Sequence, residues 1–440
     1  MSFKQFASCN TFQLGFSHFA SLPKRMFGIF IAICMLSGIS GTLKGANGLA
    51  GNSFVSTGKQ VEDPNKGWAG TWGTAPQLVE PNNMPPSPGL NENTLRQVVR
   101  VSIGGDVIRI RFSNEFSKSP VTMKAVQIAI SKGGSSIDAS TAKELKFDNK
   151  GEVTMNAGGA VTSDPLSFHL EQRMTIAITI YFGQTSPDVT GHPGSRTTSY
   201  LLAGNNMASA DFTNAIPTDH WYVINTIDVK AKKATAVVAL GNSITDGRGS
   251  GTNKQNRWPD ILSERLLNNS KTKRVGVINK GIGGNCVLKQ CLGPAAVDRF
   301  DRDVLQQYGV RWLIILEGVN DLGSTPDSTA AFQVASNLIS AYDQMISKAH
   351  AKGIKVYGAT ILPFGKSFYY KAYREKARKV VNEWVRTSGK FDAIIDFDKA
   401  MRNPDDTATL LPALQSGDFL HPNEEGYKAM GEAIDLSLFK

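Results

Sequence analysis

The chain has 440 residues, of which 41% are hydrophobic and 20% are charged. This composition is typical of globular proteins and excludes a disordered, collagen-like or multi-span membrane chain, and the length favours two domains over one. Lysine and arginine exceed aspartate and glutamate by 10, but the excess is spread along the chain. Because nucleic-acid binding needs a focused basic patch, we expect no nucleic-acid partner.

The N-terminus has the pattern of a secretory signal peptide. Lys24 and Arg25 precede an apolar run over residues 26–39, and small residues follow to Ala50. The run is shorter than the roughly 20 residues of a membrane-spanning helix, although an uncleaved anchor is the alternative. We predict a signal peptide over residues 1–50, a secreted or periplasmic protein, and no stable membrane anchor after cleavage.

Two of the four cysteines, Cys9 and Cys34, lie in the predicted signal peptide. The exported chain would keep Cys286 and Cys291, and an even pair in an oxidising compartment favours a disulfide over two free thiols. Two cysteines without a histidine cluster do not make a zinc site, so we expect no metal.

The first part of the chain has the two-residue period of β-strands. After a polar, glycine-rich linker over residues 51–66, apolar and polar residues alternate on both sides of Gly104-Gly105, which predicts a β-hairpin. The alternation returns at residues 126–130. These segments predict an antiparallel β-sandwich, jelly-roll-like in size, over residues 67–233.

From residue 234 onward, continuous apolar runs alternate with segments of helical period. Such runs are typical of strands buried on both faces of a parallel sheet, and the helical segments of crossover connections. The five runs cover residues 235–240, 275–278, 312–316, 354–361 and 393–397. They predict an α/β domain over residues 234–440 with a doubly wound, five-stranded parallel sheet, in which Asn256 caps a helix.

Polar residues follow three of these strands and recur near the end of the chain. Ser243 follows the first strand, a glycine pair ending at Gly284 follows the second, and Asn320 follows the third. Asp418 precedes His421 by three residues, close enough in a turn to hydrogen-bond the imidazole. Each feature has a plain alternative: a helix N-cap for the serine, turns for the glycines and the asparagine, and a structural role for the histidine. Together they supply a nucleophile, a base, an orienting acid and oxyanion donors, the set that acyl transfer requires.

The remaining histidines, His192 and His220 among them, have no such context and are expected at the surface or in packing. Trp68 and Trp72 could stack on sugars, but we expect them to pack in the core or between the domains.

The four segments resemble the blocks of the SGNH branch of the GDSL-type esterases and lipases. They read Gly-Asn-Ser at 241–243, Gly-Ile-Gly-Gly-Asn at 281–285, Gly-Val-Asn-Asp at 318–321 and Asp-Phe-Leu-His at 418–421. The resemblance covers about residues 235–440, and Asn242 departs from it by replacing the usual aspartate of the first block. The phrases NRWPDIL, LEGVND and DFLHPNEEGY also resemble a secreted bacterial subgroup of arylesterases and acylhydrolases, in which a β-sandwich precedes the hydrolase domain.

The resemblance implies a role for each residue. Ser243 would be the nucleophile, His421 the general base and Asp418 its orienting acid. The backbone N–H groups of Ser243 and Gly284 and the amide of Asn320 would form the oxyanion hole. The implied function is hydrolysis of short acyl esters, on carbohydrates or small alcohols, through an acyl-serine and without metal or organic cofactor. A lysophospholipase or thioesterase is one alternative, and a carbohydrate-binding surface protein with an inactive hydrolase domain is another.

Overall fold

The computed structural model describes residues 65–440. The predicted signal peptide and most of the predicted linker lie outside these residues. The strands of the N-terminal part are β1 (Trp68–Gly73), β2 (Gln77–Leu78), β3 (Asn93–Arg100), β4 (Gly105–Ser113), β5 (Val121–Gly133), β6 (Ser136–Ile137), β7 (Lys143–Glu144), β8 (Val153–Met155), β9 (Ala160–Thr162), β10 (Leu166–Leu170), β11 (Thr175–Phe182), β12 (Thr190–His192), β13 (Ser199–Ala203), β14 (Ile216–Thr218), β15 (Trp221–Tyr222) and β16 (Ile224–Lys230).

The strands of the C-terminal part are β17 (Thr235–Gly241), β18 (Val275–Gly281), β19 (Val310–Leu316), β20 (Lys355–Ala359) and β21 (Ala393–Ile395). The α-helices are α1 (Ser243–Asp246), α2 (Trp258–Leu267), α3 (Ala296–Phe300), α4 (Val319–Gly323), α5 (Ser328–His350), α6 (Ala372–Thr387), α7 (Phe397–Met401) and α8 (Glu424–Glu432). Single 3₁₀ turns lie at Pro81–Asn83, Ala139–Thr141, Pro412–Leu414 and Leu436–Phe439, and a π-helical turn lies at Asp301–Leu305.

The N-terminal part has the antiparallel β-rich architecture that the sequence predicts. One sheet has the order β1-β16-β4-β10 with β9 on β4, and the second has the order β14-β13-β3-β11-β5-β6 with β7 and β8 on β5. A small third sheet has the order β15-β12-β2. Alternate residues of both large sheets, such as Val99, Ile110 and Ile178, are fully buried in one shared hydrophobic core, as inward-facing residues of a sandwich are.

The predicted hairpin around Gly104 and Gly105 is wrong, although both of its strands exist. β3 pairs with β11 and β13, whereas β4 pairs with β16, β10 and β9, so the chain passes from one sheet to the other at the two glycines. A Cβ atom added to Gly104 would lie 2.3 Å from the backbone oxygen of Leu170, so this crossing needs glycine. An alternating pattern determines which face of a strand is buried, but not which strand lies beside it.

The C-terminal part is the doubly wound parallel sheet that the sequence predicts. Its strand order is β18-β17-β19-β20-β21, and every neighbouring pair is parallel. The order reverses between β17 and β19, and ligands of such sheets bind beyond the carboxyl ends of the strands at this switch point. The predicted cap of α2 is wrong: the helix has Arg257 as its N-cap residue, and the amide of Asn256 donates to Glu424 instead.

The sandwich and the parallel sheet pack together through β1 and β18, and the described residues form one compact unit. A Cβ atom added to Gly276 would lie 2.2 Å from the backbone oxygen of Gly70, so the two strands approach closely. The hydroxyl of Ser102 accepts a hydrogen bond from the Val277 N–H (3.0 Å) at the edge of the parallel sheet. This packing places loops of the sandwich beside the carboxyl ends of β17 and β18.

Trp72 lies in this packing region as expected, with 7% of its surface exposed.

Within residues 65–440, no helix combines the length and the apolar character needed to cross a membrane.

Candidate active site

Ser243 is the first residue of α1 and follows β17 directly. The side chain of Asn242, not that of the serine, caps this helix, since its Oδ1 accepts a hydrogen bond from the Ile244 N–H (3.0 Å). The Ser243 hydroxyl is therefore not engaged as an N-cap. It is left to face a neighbouring side chain at the carboxyl edge of the sheet.

That neighbour is His421, whose Nε2 lies 2.9 Å from the Ser243 Oγ. The other ring nitrogen, Nδ1, lies 2.6 Å from Oδ2 of Asp418. Oδ1 of Asp418 accepts hydrogen bonds from the backbone N–H groups of Leu420 and His421. Since the carboxylate accepts the proton of Nδ1, Nε2 of the neutral ring carries the lone pair and faces the serine.

The surroundings of Asp418 and His421 determine the charge that each side chain carries. Burial alone would raise the pKa of Asp418, but hydrogen bonds from the ring and the backbone N–H of His421 and from the Leu420 N–H lower it to about 2. Burial lowers the pKa of His421 below its usual value more than the carboxylate of Asp418 raises it, and the charges of Arg248 and Arg196 lower it further. At neutral pH the aspartate is therefore ionised and the histidine neutral.

Asn320 and Gly284 line the same cavity as Ser243 and His421. Asn320 lies in α4, where its Nδ2 donates to the backbone oxygen of Asn285 (2.6 Å) and its Oδ1 accepts a hydrogen bond from the Tyr369 hydroxyl (3.0 Å). The amide is thus held at both ends, and it has a second N–H besides the one bonded to Asn285. Gly284 has a left-handed backbone (φ +71°), which favours glycine.

The loop after Gly284 contains the predicted disulfide between Cys286 and Cys291. A second restraint was not anticipated from the sequence. The buried carboxylate of Asp321 accepts hydrogen bonds from the N–H groups of Val287 (2.9 Å) and Leu288 (3.0 Å). Asp321 follows Asn320 directly, so the loop after β18 and the helix after β19 are joined at this point.

A buried network of charged groups lies below these loops. Arg299 donates to the backbone oxygen of Gly241 (3.0 Å) and to Oδ1 of Asn285 (3.0 Å), so it joins the loops after β17 and β18. Glu317 accepts a hydrogen bond from Nδ2 of Asn242 at 3.3 Å. Burial raises the pKa of Glu317 to about 8, although the charge of Arg299 lowers it.

The cavity above Ser243 has a volume of about 480 Å³, and the N-terminal part supplies one of its walls. The wall residues are Gln77, Glu80, Asn83, Pro193, Gly194, Arg196 and His220. No sequence motif marks them as site residues, and all of them precede Ser243 by more than 20 residues. A further wall residue, Arg248, lies five residues after the serine and was also missed.

His192 makes a contact that the sequence did not indicate. It packs against Trp221, with ring centroids 5.9 Å apart, and its Nε2 lies 2.8 Å from Oδ1 of Asp246, the last residue of α1. Its Nδ1 donates to the backbone oxygen of Ala75 (2.9 Å). The sandwich therefore holds the helix that begins at Ser243.

In residues 65–440, no three His, Cys, Asp or Glu side chains are grouped so as to hold a metal ion.

Residues 239–429 match the model of the GDSL-like lipase/acylhydrolase family. A protein from Desulfitobacterium hafniense DCB-2, provisionally described as a lipolytic protein of the G-D-S-L family, is 26% identical over 45% of this chain and 97% of its own (TM-score 0.35). A GDSL-like lipase from Bacteroides thetaiotaomicron is 22% identical over 47% and 89% (TM-score 0.34), and an acetyl xylan esterase from Geobacillus stearothermophilus is 18% identical over 46% and 94% (TM-score 0.35). No curated protein matches the chain.

Proposed function

We propose that the chain is an exported serine hydrolase of short acyl esters, on carbohydrates or small alcohols. The match of residues 239–429 to the GDSL-like lipase/acylhydrolase family supports this proposal. One observation carries the proposal: the hydrogen-bonded series from Ser243 Oγ through the His421 ring to the Asp418 carboxylate, at distances of 2.9 and 2.6 Å. This arrangement of hydroxyl, imidazole and ionised carboxylate is the one that activates a serine for attack on a carbonyl.

In the proposed mechanism, His421 Nε2 takes the proton of Ser243 as its Oγ attacks the ester carbonyl carbon. The resulting oxyanion accepts hydrogen bonds from the backbone N–H groups of Ser243 and Gly284 and from the amide of Asn320. Asp418 keeps the ring in the required tautomer and stabilises the imidazolium. The imidazolium protonates the leaving alcohol, and an acyl-serine remains. A water molecule, deprotonated by His421, then attacks the acyl-serine. The bond from the acyl carbon to Ser243 Oγ breaks, the imidazolium returns its proton to Oγ, and the acid is released.

Support for a small, polar substrate comes from the cavity. Its volume of about 480 Å³ lies in the range of small-molecule sites, and its wall includes the polar side chains of Gln77, Glu80, Asn83 and His220. Two apolar side chains of the cavity support the alternative function, a lysophospholipase or thioesterase. Leu292 and Phe368 are 48% and 71% exposed, and they could cover a longer acyl chain.

The proposal includes export and a two-domain organisation. The basic and apolar N-terminal sequence supports a signal peptide over residues 1–50, and the Cys286–Cys291 disulfide is compatible with an oxidising compartment. We propose a β-sandwich domain over residues 67–233 and a catalytic domain over residues 234–440. The substrate that we propose is a small-molecule or carbohydrate ester.

The test is Ser243→Ala in the purified protein, with p-nitrophenyl acetate as the first substrate. We expect kcat to fall by about 10⁴-fold or more, with unchanged circular dichroism and melting temperature. Ser336→Ala changes an exposed serine on α5 and serves as the matched control. In the unaltered protein, a fluorophosphonate should label Ser243, as peptide mass spectrometry would show. A Ser243→Ala protein that keeps most of its esterase activity would end the proposal.

The substrate is then identified with a panel on the unaltered protein. Acetylated sugars, p-nitrophenyl esters of graded acyl length and a lysophospholipid distinguish the main proposal from its alternative. Preference for acetyl esters of sugars supports the main proposal. Preference for long acyl chains supports the lysophospholipase alternative.

A further inference from the structure

Two arginines, Arg196 and Arg248, line the cavity together with Ser243 and His421. The side chain of Arg248 is exposed, and its guanidinium has no hydrogen bond or ion pair with the rest of residues 65–440. An arginine with five N–H donors beside a candidate nucleophile is a feature that the proposed ester hydrolysis does not use.

Arg196 is held in an unusual backbone conformation. Its φ is +51°, in the left-handed region that residues other than glycine rarely adopt, and its carbonyl accepts a hydrogen bond from the Asn253 N–H (2.9 Å). Strained backbone of this kind is concentrated at functional sites. The Nε of Arg196 is buried and has no hydrogen-bond partner among the described residues.

The nearest carboxylate does not satisfy the Arg196 guanidinium. A terminal nitrogen of Arg196 lies 3.7 Å from Oδ2 of Asp246, beyond hydrogen-bond distance. The other oxygen of Asp246 contacts His192 at 2.8 Å. The arginine therefore shares this carboxylate with a histidine and has donors left for a ligand.

The other carboxylate in the cavity wall is Glu80, and its oxygens are already engaged. They accept hydrogen bonds from the side-chain amides of Gln77 (2.6 Å) and Asn83 (3.0 Å). Glu80 is thus held by its own neighbours on the loop after β2. The Arg248 guanidinium and the Nε of Arg196 therefore remain donors without a partner among the described residues.

The two arginines also affect the protonation of the proposed base, His421. Their positive charges disfavour the His421 imidazolium, which must form during proton transfer from Ser243. A negative group bound beside them would cancel this repulsion. The two arginines therefore favour an anionic group in the cavity over a neutral one.

We propose that Arg196 and Arg248 form a subsite for a carboxylate carried by the ester substrate, on its acyl side or its alcohol side. This inference rests on the proposed ester hydrolysis and specifies that its substrate is negatively charged. Guanidinium groups bind carboxylates through paired, charge-assisted hydrogen bonds, and these are the donors that the cavity offers.

The test compares charged and neutral esters of matched size. For the acyl side, mono-(4-nitrophenyl) glutarate is compared with 4-nitrophenyl pentanoate. For the alcohol side, 3-acetoxybenzoate is compared with 3-acetoxybenzamide. We expect kcat/KM to be at least about tenfold higher for the charged ester of one pair, and this preference to shrink as ionic strength rises. The pair that shows the preference identifies the side of the ester that bears the carboxylate.

Arg196→Gln and Arg248→Gln should each reduce the preference to about twofold or less. Arg311→Gln, which changes an exposed arginine at the start of β19, is the matched control and should keep it. Arg248 is exposed, so its variant supplies the test even if Arg196→Gln does not fold.

Equal kcat/KM for both members of both pairs in the unaltered protein would overturn the inference, as would a preference that survives in both variants. Failure of the proposed function looks different. In that case the unaltered protein hydrolyses none of the four esters, or Ser243→Ala hydrolyses them as well as the unaltered protein does.

Discussion

The Nδ2 of Asn320 lies 2.6 Å from the backbone oxygen of Asn285, so the helix after β19 is bonded to the loop after β18. The Tyr369 hydroxyl donates to Oδ1 of the same amide (3.0 Å). With both ends of the amide held, the direction of its second N–H is determined before any substrate binds. Donors fixed in advance are those that stabilise a developing oxyanion most effectively.

Asn320→Ala is therefore expected to lower kcat by about 10²–10³-fold with little change in KM, because an oxyanion donor acts mainly in the transition state. Asn320→Asp keeps the acceptor for Tyr369 but replaces the donor with a negatively charged oxygen, so it should lower kcat at least as much. Steady-state kinetics on p-nitrophenyl acetate measure both. A rise in KM at constant kcat would instead assign Asn320 to substrate binding.

The pH profile should reflect the burial of His421. The base must be neutral to accept a proton, and burial lowers its pKa below the ordinary histidine value. The value of kcat/KM should therefore rise with pH and level off at a lower pH than an exposed histidine would give. Arg248→Gln removes one charge that lowers this pKa, so its inflection should move to higher pH. A flat profile from acidic to neutral pH, or an inflection that does not move, would contradict this role.

The disulfide should affect activity more than overall stability. Cys286 and Cys291 close a loop of about six residues, for which chain entropy predicts only about 2 kcal/mol. In Cys286→Ser/Cys291→Ser, we expect the melting temperature to fall by a few degrees and kcat to fall clearly, because the loop continues from Gly284. Differential scanning calorimetry and kinetics measure the two effects. Mass spectrometry of the non-reduced protein should find the cysteines joined, and an unchanged kcat would argue against a positioning role.

Asp321 is expected to position the same loop from its other side. In the unaltered protein, the two carboxylate oxygens of Asp321 accept hydrogen bonds from the N–H groups of Val287 and Leu288. Asp321→Asn leaves only one oxygen as an acceptor for these groups. We expect kcat to fall by roughly tenfold, with KM unchanged, because the donor that we propose at Gly284 in this loop would act on the oxyanion and not on the ground state. Asp327→Asn, at the exposed N-cap of α5, is the control and should leave kcat unchanged. A change confined to KM would contradict the prediction.

Lys280 provides a test of the packing between sandwich and sheet. It is fully buried, its Nζ donates to the backbone oxygen of Thr74 (2.7 Å), and burial lowers its pKa to about 7. Between about pH 7 and 10, the unfolded chain binds this proton and the folded chain does not. Folded stability should therefore rise with pH in this window, by up to about 1.4 kcal/mol per pH unit from this group.

Lys280→Met removes that contribution. Urea unfolding at pH 7.5 and 9.5 should show the stability of the unaltered protein rising relative to the variant as pH increases. Lys232→Met, at an exposed position, should follow the unaltered protein. A stability difference that does not change with pH would contradict the burial of a titrating lysine.

The placement of the candidate site follows from the sequence through a property of parallel sheets. The carboxyl ends of parallel strands meet at one edge, so residues that follow β17, β18 and β19 come together regardless of details of packing. Ser243, Gly284 and Asn320 could therefore be predicted to line one site from their order in the chain alone. The contact between Asp418 and His421 could also be predicted, because three residues within a turn are enough to join a carboxylate to a ring.

The tertiary structure alone decided the features that depend on distant partners. The alternating residues around Gly104 predicted two strands correctly, but each strand found its partners far along the chain, since a buried face can be covered by any strand of matching pattern. For the same reason no local signal places Arg196 beside His421 or buries Lys280 against Thr74. These contacts arise where the sandwich meets the parallel sheet, because packing between two separately patterned surfaces is determined by their shapes and not by the spacing of residues in either one.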